Sequence, residues 1–193
     1  MSVNRSLNQM FARWQIRVLV LLGQRQAALD RLDAWLQNDS ANVYALATQA
    51  HLLAEMGDKP RALLALQRQV ALQPQAAPGW FNLGFLSEEM GLLEQAEDAF
   101  RRALDIDPRL DRAWYGLALS LIRQRCFDEA VTALRKNTEL QPMSPYGWYQ
   151  LARVHVDRQE PEEAAKIIRH LRGFEPKVAA QLERETGLGT SRA

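Results

Sequence analysis

The sequence predicts an all-α solenoid of repeated helical pairs, and three columns of identical residues predict it. Tryptophan recurs every 34 residues, at Trp80, Trp114 and Trp148. Alanine and proline keep the same step, at Ala62, Ala96, Ala130 and Ala164, and at Pro74, Pro108, Pro142 and Pro176. A fixed period of this length is typical of stacked helical hairpins, because each hairpin buries its apolar face only against its neighbours.

The repeating unit is clearest in residues 77–110. Apolar residues at helical spacing predict one helix over roughly 78–90 and a second over roughly 94–105, with Gly91 at the break. Small residues at Gly84 and Ala96 allow the two helices to approach closely. Pro108 ends the second helix, because proline cannot continue a helix interior.

This unit resembles the tetratricopeptide repeat. The matching residues of the central repeat are Trp80, Leu83, Gly84, Ala96, Phe100, Ala103 and Pro108, while Ser87 stands where tyrosine is usual. The resemblance implies a right-handed solenoid of five repeats, at 9–42, 43–76, 77–110, 111–144 and 145–178. A lead-in at 1–8, a capping helix at 179–187 and a flexible tail at 188–193 complete the expected organisation.

The first predicted helix has an unusually apolar face. Its members are Leu7, Met10, Phe11, Trp14, Val18, Leu21 and Leu22. The face either packs on the second helix or forms a docking or self-association surface, since a terminal repeat should turn a polar side outward. Met10, Phe11, Trp14 and Val18 are therefore a candidate second interface, and a homo-oligomer is an open alternative.

The resemblance also implies a ligand site, because in this family the first helix of each pair lines a concave groove. The groove candidates are Tyr44, His51, Phe81, Asn82, Phe85, Glu88, Arg112, Tyr115, Leu119, Ile122, Tyr146, Tyr149 and Arg153. Tyr115 and Tyr149 have an alternative role in packing against neighbouring helices. Phe81 and Phe85 are surplus to the core and favour an apolar or aromatic peptide, extended or helical, with Glu88 on an acidic rim.

One subclass of the family holds a terminal carboxylate with basic and asparagine side chains. Asn82 and Arg112 match two of its positions, but Ala47, His51 and Gly116 stand at the others. Too few charged donors are left for a strong carboxylate clamp.

The sequence offers no active site. His51 and Glu55 lie one turn apart without a second metal-binding motif, and Cys126 has no assigned histidine partner. We expect Cys126 to be a small packing residue and His155 a satisfied, partly buried one. The chain is therefore predicted to be no enzyme and to need neither cofactor nor metal.

Composition narrows the class of partner. Lysine and arginine total 24 against 23 acidic residues, a net charge of +1 that argues against nucleic-acid binding. The apolar run at 18–22 is too short for a signal peptide or a membrane span. The single cysteine fits a reducing compartment. We expect a bacterial, cytoplasmic interaction adaptor that binds a segment of one protein partner, whose identity the sequence leaves open.

Overall fold

A computed structural model describes the backbone of residues 2–188 and the side chains of residues 9–188. This part of the chain consists of eleven α-helices and short turns, with no strand among the described residues, so the all-α prediction is confirmed. The helices are α1 (Ser2–Leu21), α2 (Arg25–Asn38), α3 (Val43–Glu55), α4 (Lys59–Leu72), α5 (Ala77–Glu89), α6 (Leu93–Ile106), α7 (Asp111–Arg123), α8 (Phe127–Leu140), α9 (Pro145–Asp157), α10 (Pro161–Arg172) and α11 (Pro176–Thr186).

Some expectations fall on residues that the structure does not describe. Residues 189–193 of the predicted tail lie outside the described residues. The side chains of the predicted lead-in, 1–8, and with them Leu7 of the apolar face, also lie outside them.

The chain divides into two units, one up to Leu86 and one from Ser87 onward. In unit 1, α1 packs on α2, α2 on α3 and α3 on α4. In unit 2, consecutive helices from α6 to α11 pack on one another, and α11 also contacts α9. Packing between consecutive helices is the arrangement expected of stacked hairpins.

The alanine column forms the centre of the packing. Ala28, Ala62, Ala96, Ala130 and Ala164 occupy one position of each even-numbered helix from α2 to α10, and all five have 0% exposure. A side chain of one methyl group lets the neighbouring backbone approach, so a larger residue would have to push the helices apart. The close packing predicted at Ala96 is confirmed.

The tryptophan and proline columns are joined to each other. The indole Nε1 groups of Trp80, Trp114 and Trp148 donate hydrogen bonds to the backbone carbonyls of Pro74, Pro108 and Pro142, each at 2.9 Å. Each bond ties the start of a helix to the residues just before it. The carbonyl that accepts the bond lies in an irregular segment where it has no helical N–H partner.

Several prolines lie at helix starts. Pro60, Pro78, Pro145 and Pro161 lie in first turns, where a missing N–H costs no hydrogen bond. Pro176 differs from the other prolines of its column, because α10 already ends at Arg172 and Pro176 begins α11. The turn at Gly173 ends α10 before the proline is reached.

The turn inside each helical pair uses one backbone conformation throughout. Gly23, Gly57, Gly91, Arg125 and Gln159 stand 34 residues apart and have positive φ angles of 72°, 86°, 76°, 63° and 62°. Glycine reaches this left-handed region without steric cost, whereas arginine and glutamine do not. The last two turns therefore carry local backbone strain that the first three avoid.

Candidate functional site

Two phenylalanines form an exposed aromatic pair on α5. The ring centroids of Phe81 and Phe85 lie 6.4 Å apart with the planes inclined by 29°, a stacked arrangement. Their spacing of four residues puts them on one helix face. Phe85 is 52% exposed, so the pair presents apolar area to solvent rather than filling the core.

The other candidates of unit 1 differ in accessibility. The guanidinium of Arg13 lies 4.5 Å from the centre of the Tyr44 ring, and Trp35 lies beside the same ring at 6.0 Å. Tyr44 is thus half-buried among side chains of α1 and α2. His51 is exposed and its Nε2 lies 3.3 Å from Glu55. Asn82 is also exposed.

In unit 2, α7 presents a half-buried apolar stripe. Tyr115, Leu119 and Ile122 follow one another at spacings of four and three residues, and all three are partly accessible. Arg112 is exposed one turn before them. The stripe therefore has the apolar character expected of a groove wall, with a cation at its start.

Tyr149 and Arg153 on α9 converge on a carboxylate from α11. The Tyr149 hydroxyl donates to Glu185 Oε2 at 2.7 Å, and Arg153 Nη1 lies 3.1 Å from the hydroxyl and 3.4 Å from the carboxylate. Hydrogen bonds from Gln181 and Tyr149, with the charge of Arg153, lower the pKa of Glu185 below its ordinary value. Tyr146, one turn earlier, is exposed. This end of unit 2 is a charged, hydrogen-bonded surface.

Glu88 is already engaged by a cation. Arg123 Nη1 donates to the Glu88 side chain at 2.6 Å and to its backbone carbonyl at 2.8 Å. The side chain of Glu88 is only 21% exposed. A basic residue of a ligand would therefore have to compete with Arg123 for this carboxylate.

Glu185 and Arg123 are the residues that sequence reasoning missed. The 34-residue step carries Tyr149 to position 183 and Arg153 to position 187, so Glu185 lies midway between them on the next helix of that series. That spacing was the available signal. The residue of α11 that contacts Tyr149 and Arg153 is decided by the offset between neighbouring helices. The sequence does not give that offset.

Most of the described side chains of the apolar α1 face are left in solvent. Met10, Phe11 and Trp14 are exposed, and the rings of Phe11 and Trp14 stack with centroids 6.0 Å apart. Val18 is half-buried. Packing on α2 is instead provided by Ile16, which is 2% exposed. The candidate second interface is thus accessible to another molecule.

The residues weighed for catalysis lie apart. His155 is 4% exposed and its Nδ1 lies 2.6 Å from Glu160, so its expected role as a satisfied buried histidine is confirmed. The packing role expected of Cys126 is wrong: it is the exposed residue preceding α8.

Among the described side chains, no cluster of three histidine, cysteine or acidic residues could hold a metal. Within that same part of the chain, no helix has the length and apolar character of a membrane span.

Comparison with known families and structures agrees with this geometry. Two family models described as tetratricopeptide repeat match residues 77–110 and 112–175. No curated protein sequence matches the chain.

Solved structures match over most of the chain. A MamA protein is 19% identical with a TM-score of 0.80, covering 95% of this chain and 96% of its own. MamA from Desulfovibrio magneticus RS-1 is 20% identical with a TM-score of 0.77, covering 91% and 95%. YrrB, a TPR protein with an unusual peptide-binding site, is 16% identical with a TM-score of 0.78, covering 88% of each chain. At these identities the similarity shows the fold alone.

Proposed function

Because the chain belongs to the tetratricopeptide repeat family, we propose that it is a non-enzymatic adaptor that binds a peptide or helical segment of a protein partner during assembly or regulation of a complex. The tetratricopeptide fold implies protein partners. The binding surfaces in this proposal are the aromatic faces of α5, α7 and α9. A count of five repeats and a cytoplasmic location, in keeping with the single cysteine, belong to the same proposal.

The observation that carries the proposal is the exposed stack of Phe81 and Phe85. Folding alone does not require it, because the core beside it is supplied by fully buried leucine and alanine side chains such as Leu83. A large aromatic side chain left half in solvent adds apolar area that a partner can cover. Aromatic side chains of this kind tend to contribute most of the binding free energy at interfaces.

Unit 2 carries a candidate binding surface of its own, with mixed character. Tyr115, Leu119 and Ile122 offer apolar contacts. Arg153 offers a cation, because its Nη1 alone is directed at Tyr149 and Glu185 and a guanidinium has five N–H donors. An apolar stripe bounded by charged side chains is typical of a surface that holds a peptide in one register. The same features favour a partner segment that carries both apolar and acidic residues.

Recognition of a free carboxyl terminus is not part of the proposal. Asn82 and Arg112 match two positions of the carboxylate-binding subclass, but a third falls on Gly116. A Cβ atom at Gly116 would lie 2.4 Å from Phe100 Cζ, so this position has no space for the basic side chain that the subclass uses.

The test compares partner binding by wild type with binding by the Phe85→Ala, Tyr115→Ala double variant. A pull-down with mass spectrometry identifies proteins lost only from the variant, and calorimetry with the purified partner then measures the affinity. We expect a loss of about 2–4 kcal/mol, the range for truncation of aromatic hot spots. Leu64→Ala is the matched control, because Leu64 is equally apolar and 60% exposed on α4. Equal affinity of wild type and double variant would overturn the groove assignment.

The exposed face of α1 favours a second candidate function, a structural subunit that self-associates. Met10, Phe11 and Trp14 place three large apolar side chains in solvent on one helix. Such a patch is costly to leave uncovered. Light scattering at two concentrations tests this candidate, and a strict monomer at both would exclude it.

A further inference from the structure

An open cleft of about 480 Å³ lies between α1 and α2, on the side of α1 away from Trp14. Its apolar lining is Ala12, Ile16, Ala34 and Trp35. Polar groups of Arg31 and Asp39 also line it. The cleft belongs entirely to unit 1 and contains none of the groove candidates.

The repeat register explains why the cleft exists. Ala12 lies four 34-residue steps upstream of Trp148, and Ala34 lies four steps upstream of His170. In the last helical pair the Trp148 and His170 rings pack against each other with centroids 4.5 Å apart. At the equivalent positions of the first pair, both side chains are reduced to methyl groups.

The same two columns are filled in the intervening repeats. The column of Ala12 continues as Leu46, Trp80, Trp114 and Trp148. The column of Ala34 continues as Arg68, Arg102, Lys136 and His170. Only the first pair is small at both positions, so the cleft lies where the third, fourth and fifth pairs carry an indole of their own.

We propose that this cleft receives the Trp14 side chain of a second copy of the chain. Trp14 is 60% exposed, whereas Trp35, Trp80, Trp114 and Trp148 are all partly buried. The stack with Phe11 holds the indole outward and limits the side-chain entropy lost on docking. The proposal rests on the second candidate function and assigns the contact that would produce it.

The geometry of α1 separates the two halves of this contact. Trp14 follows Ala12 by two residues, about 200° around the helix at 100° per residue, so the two point to opposite sides. A chain therefore cannot fill its own cleft. The contact is heterologous: the donor indole of one copy meets the acceptor cleft of the next, and such contacts build rings or open chains. The oxygen atoms of Asp39 and Asn38 at the cleft can accept the indole N–H.

The experiment follows assembly by sedimentation velocity for wild type, Ala12→Trp, Trp14→Ala and an equimolar mixture of the two variants. Ala12→Trp fills the cleft and leaves the donor intact, whereas Trp14→Ala removes the donor and leaves the cleft intact. We expect wild type to self-associate and each variant alone to associate at least about tenfold more weakly, as loss of a central aromatic contact does. The mixture should give a one-to-one complex that grows no further.

Ala34→Arg is the second cleft variant, in case Ala12→Trp fails to fold. Arginine already occupies this column at Arg68 and Arg102, so its stem fits the helix surface. Leu64→Ala is the control for a general loss of exposed apolar area and should associate like wild type. If wild type self-associates and the cleft variants do so equally well, or if the mixture stays monomeric, the cleft assignment is wrong while self-association stands. A monomeric wild type would overturn both, and the groove proposal would be unaffected.

Discussion

The side chain of Phe100 occupies the space into which a side chain at Gly116 would extend. A Cβ atom built on Gly116 would lie 2.4 Å from Phe100 Cζ and 2.7 Å from Cε1, well inside van der Waals contact. Phe100 is 1% exposed and cannot move toward solvent. Other repeats have a smaller residue at the first position and a larger one at the second. Leu66 and Leu134 are equivalent to Phe100, and Asn82 and Gln150 are equivalent to Gly116.

We therefore predict that Gly116→Ala destabilises the protein by about 1–3 kcal/mol, the usual cost of an overpacked core. In a Phe100→Leu variant, Gly116→Ala should lower the free energy of unfolding much less, because leucine leaves room for a side chain at position 116. Urea denaturation followed by circular dichroism gives the four free energies of unfolding for a double-mutant cycle. Additive effects would show that the two positions do not interact.

The strained turns predict a stabilising substitution. Arg125→Gly should raise the free energy of unfolding by about 0.5–1 kcal/mol, because relief of the left-handed conformation exceeds the added flexibility of glycine in the unfolded chain. Gly91→Ala, at the same turn position, should have the opposite sign. Thermal denaturation of both variants measures the effects, and a shift in the same direction for both would contradict this account.

The carboxylate at the end of unit 2 predicts a titration shift. Tyr149→Phe removes a hydrogen bond to the ionised form of Glu185, so the pKa of Glu185 should rise toward its ordinary value. Carbon-detected NMR of the glutamate side chains follows this titration directly. Tyr146→Phe is the matched control, since Tyr146 is exposed on the same helix, and it should leave the Glu185 midpoint unchanged.

Acid stability should depend on Glu160. Its hydrogen bond with His155, and the nearby charge of Arg158, lower its pKa below the ordinary value of 4.5. Because the unfolded chain then binds protons more readily than the folded chain, this contribution is fully present above about pH 4.5 and is lost as the pH falls through the folded-state pKa. Glu160→Gln should therefore lose less stability than wild type on acidification.

Unfolding free energies measured from pH 6 down to the acid limb test that expectation. Glu162→Gln, two residues away and exposed, is the control and should keep the wild-type slope. If the stability of Glu160→Gln falls with pH as steeply as that of wild type, the His155 contact does not affect the titration of Glu160.

The sequence contains enough information for the fold because the fold depends on a period. Alanine at five equivalent positions is required wherever helices approach to contact, so the column is visible without coordinates. The hydrogen bonds from Trp80, Trp114 and Trp148 to proline carbonyls were not foreseen, although both columns were identified. A one-dimensional period gives the position of each residue in the repeat but not the direction of its side chain.

The candidate site was less predictable for a related reason. Glu88 and Tyr149 were named as groove candidates without their partners Arg123 and Glu185, which lie 35 and 36 residues away. Those separations differ slightly from the 34-residue period because contacts cross diagonally between neighbouring helices. Cys126 was expected to pack, but it is the exposed residue that precedes α8, and the sequence pattern does not show the exposure of a residue in a turn.

The indole hydrogen bonds also provide the chain with built-in reporters of local opening. Trp80, Trp114 and Trp148 have the same carbonyl contact, and so their N–H resonances and fluorescence respond to the same event at three different helix starts. Trp80 reports on unit 1, and the other two report on unit 2. With the remaining tryptophans replaced by phenylalanine, each signal follows one repeat. Coincident melting of the three signals marks cooperative unfolding, and staggered melting marks progressive unravelling along the array.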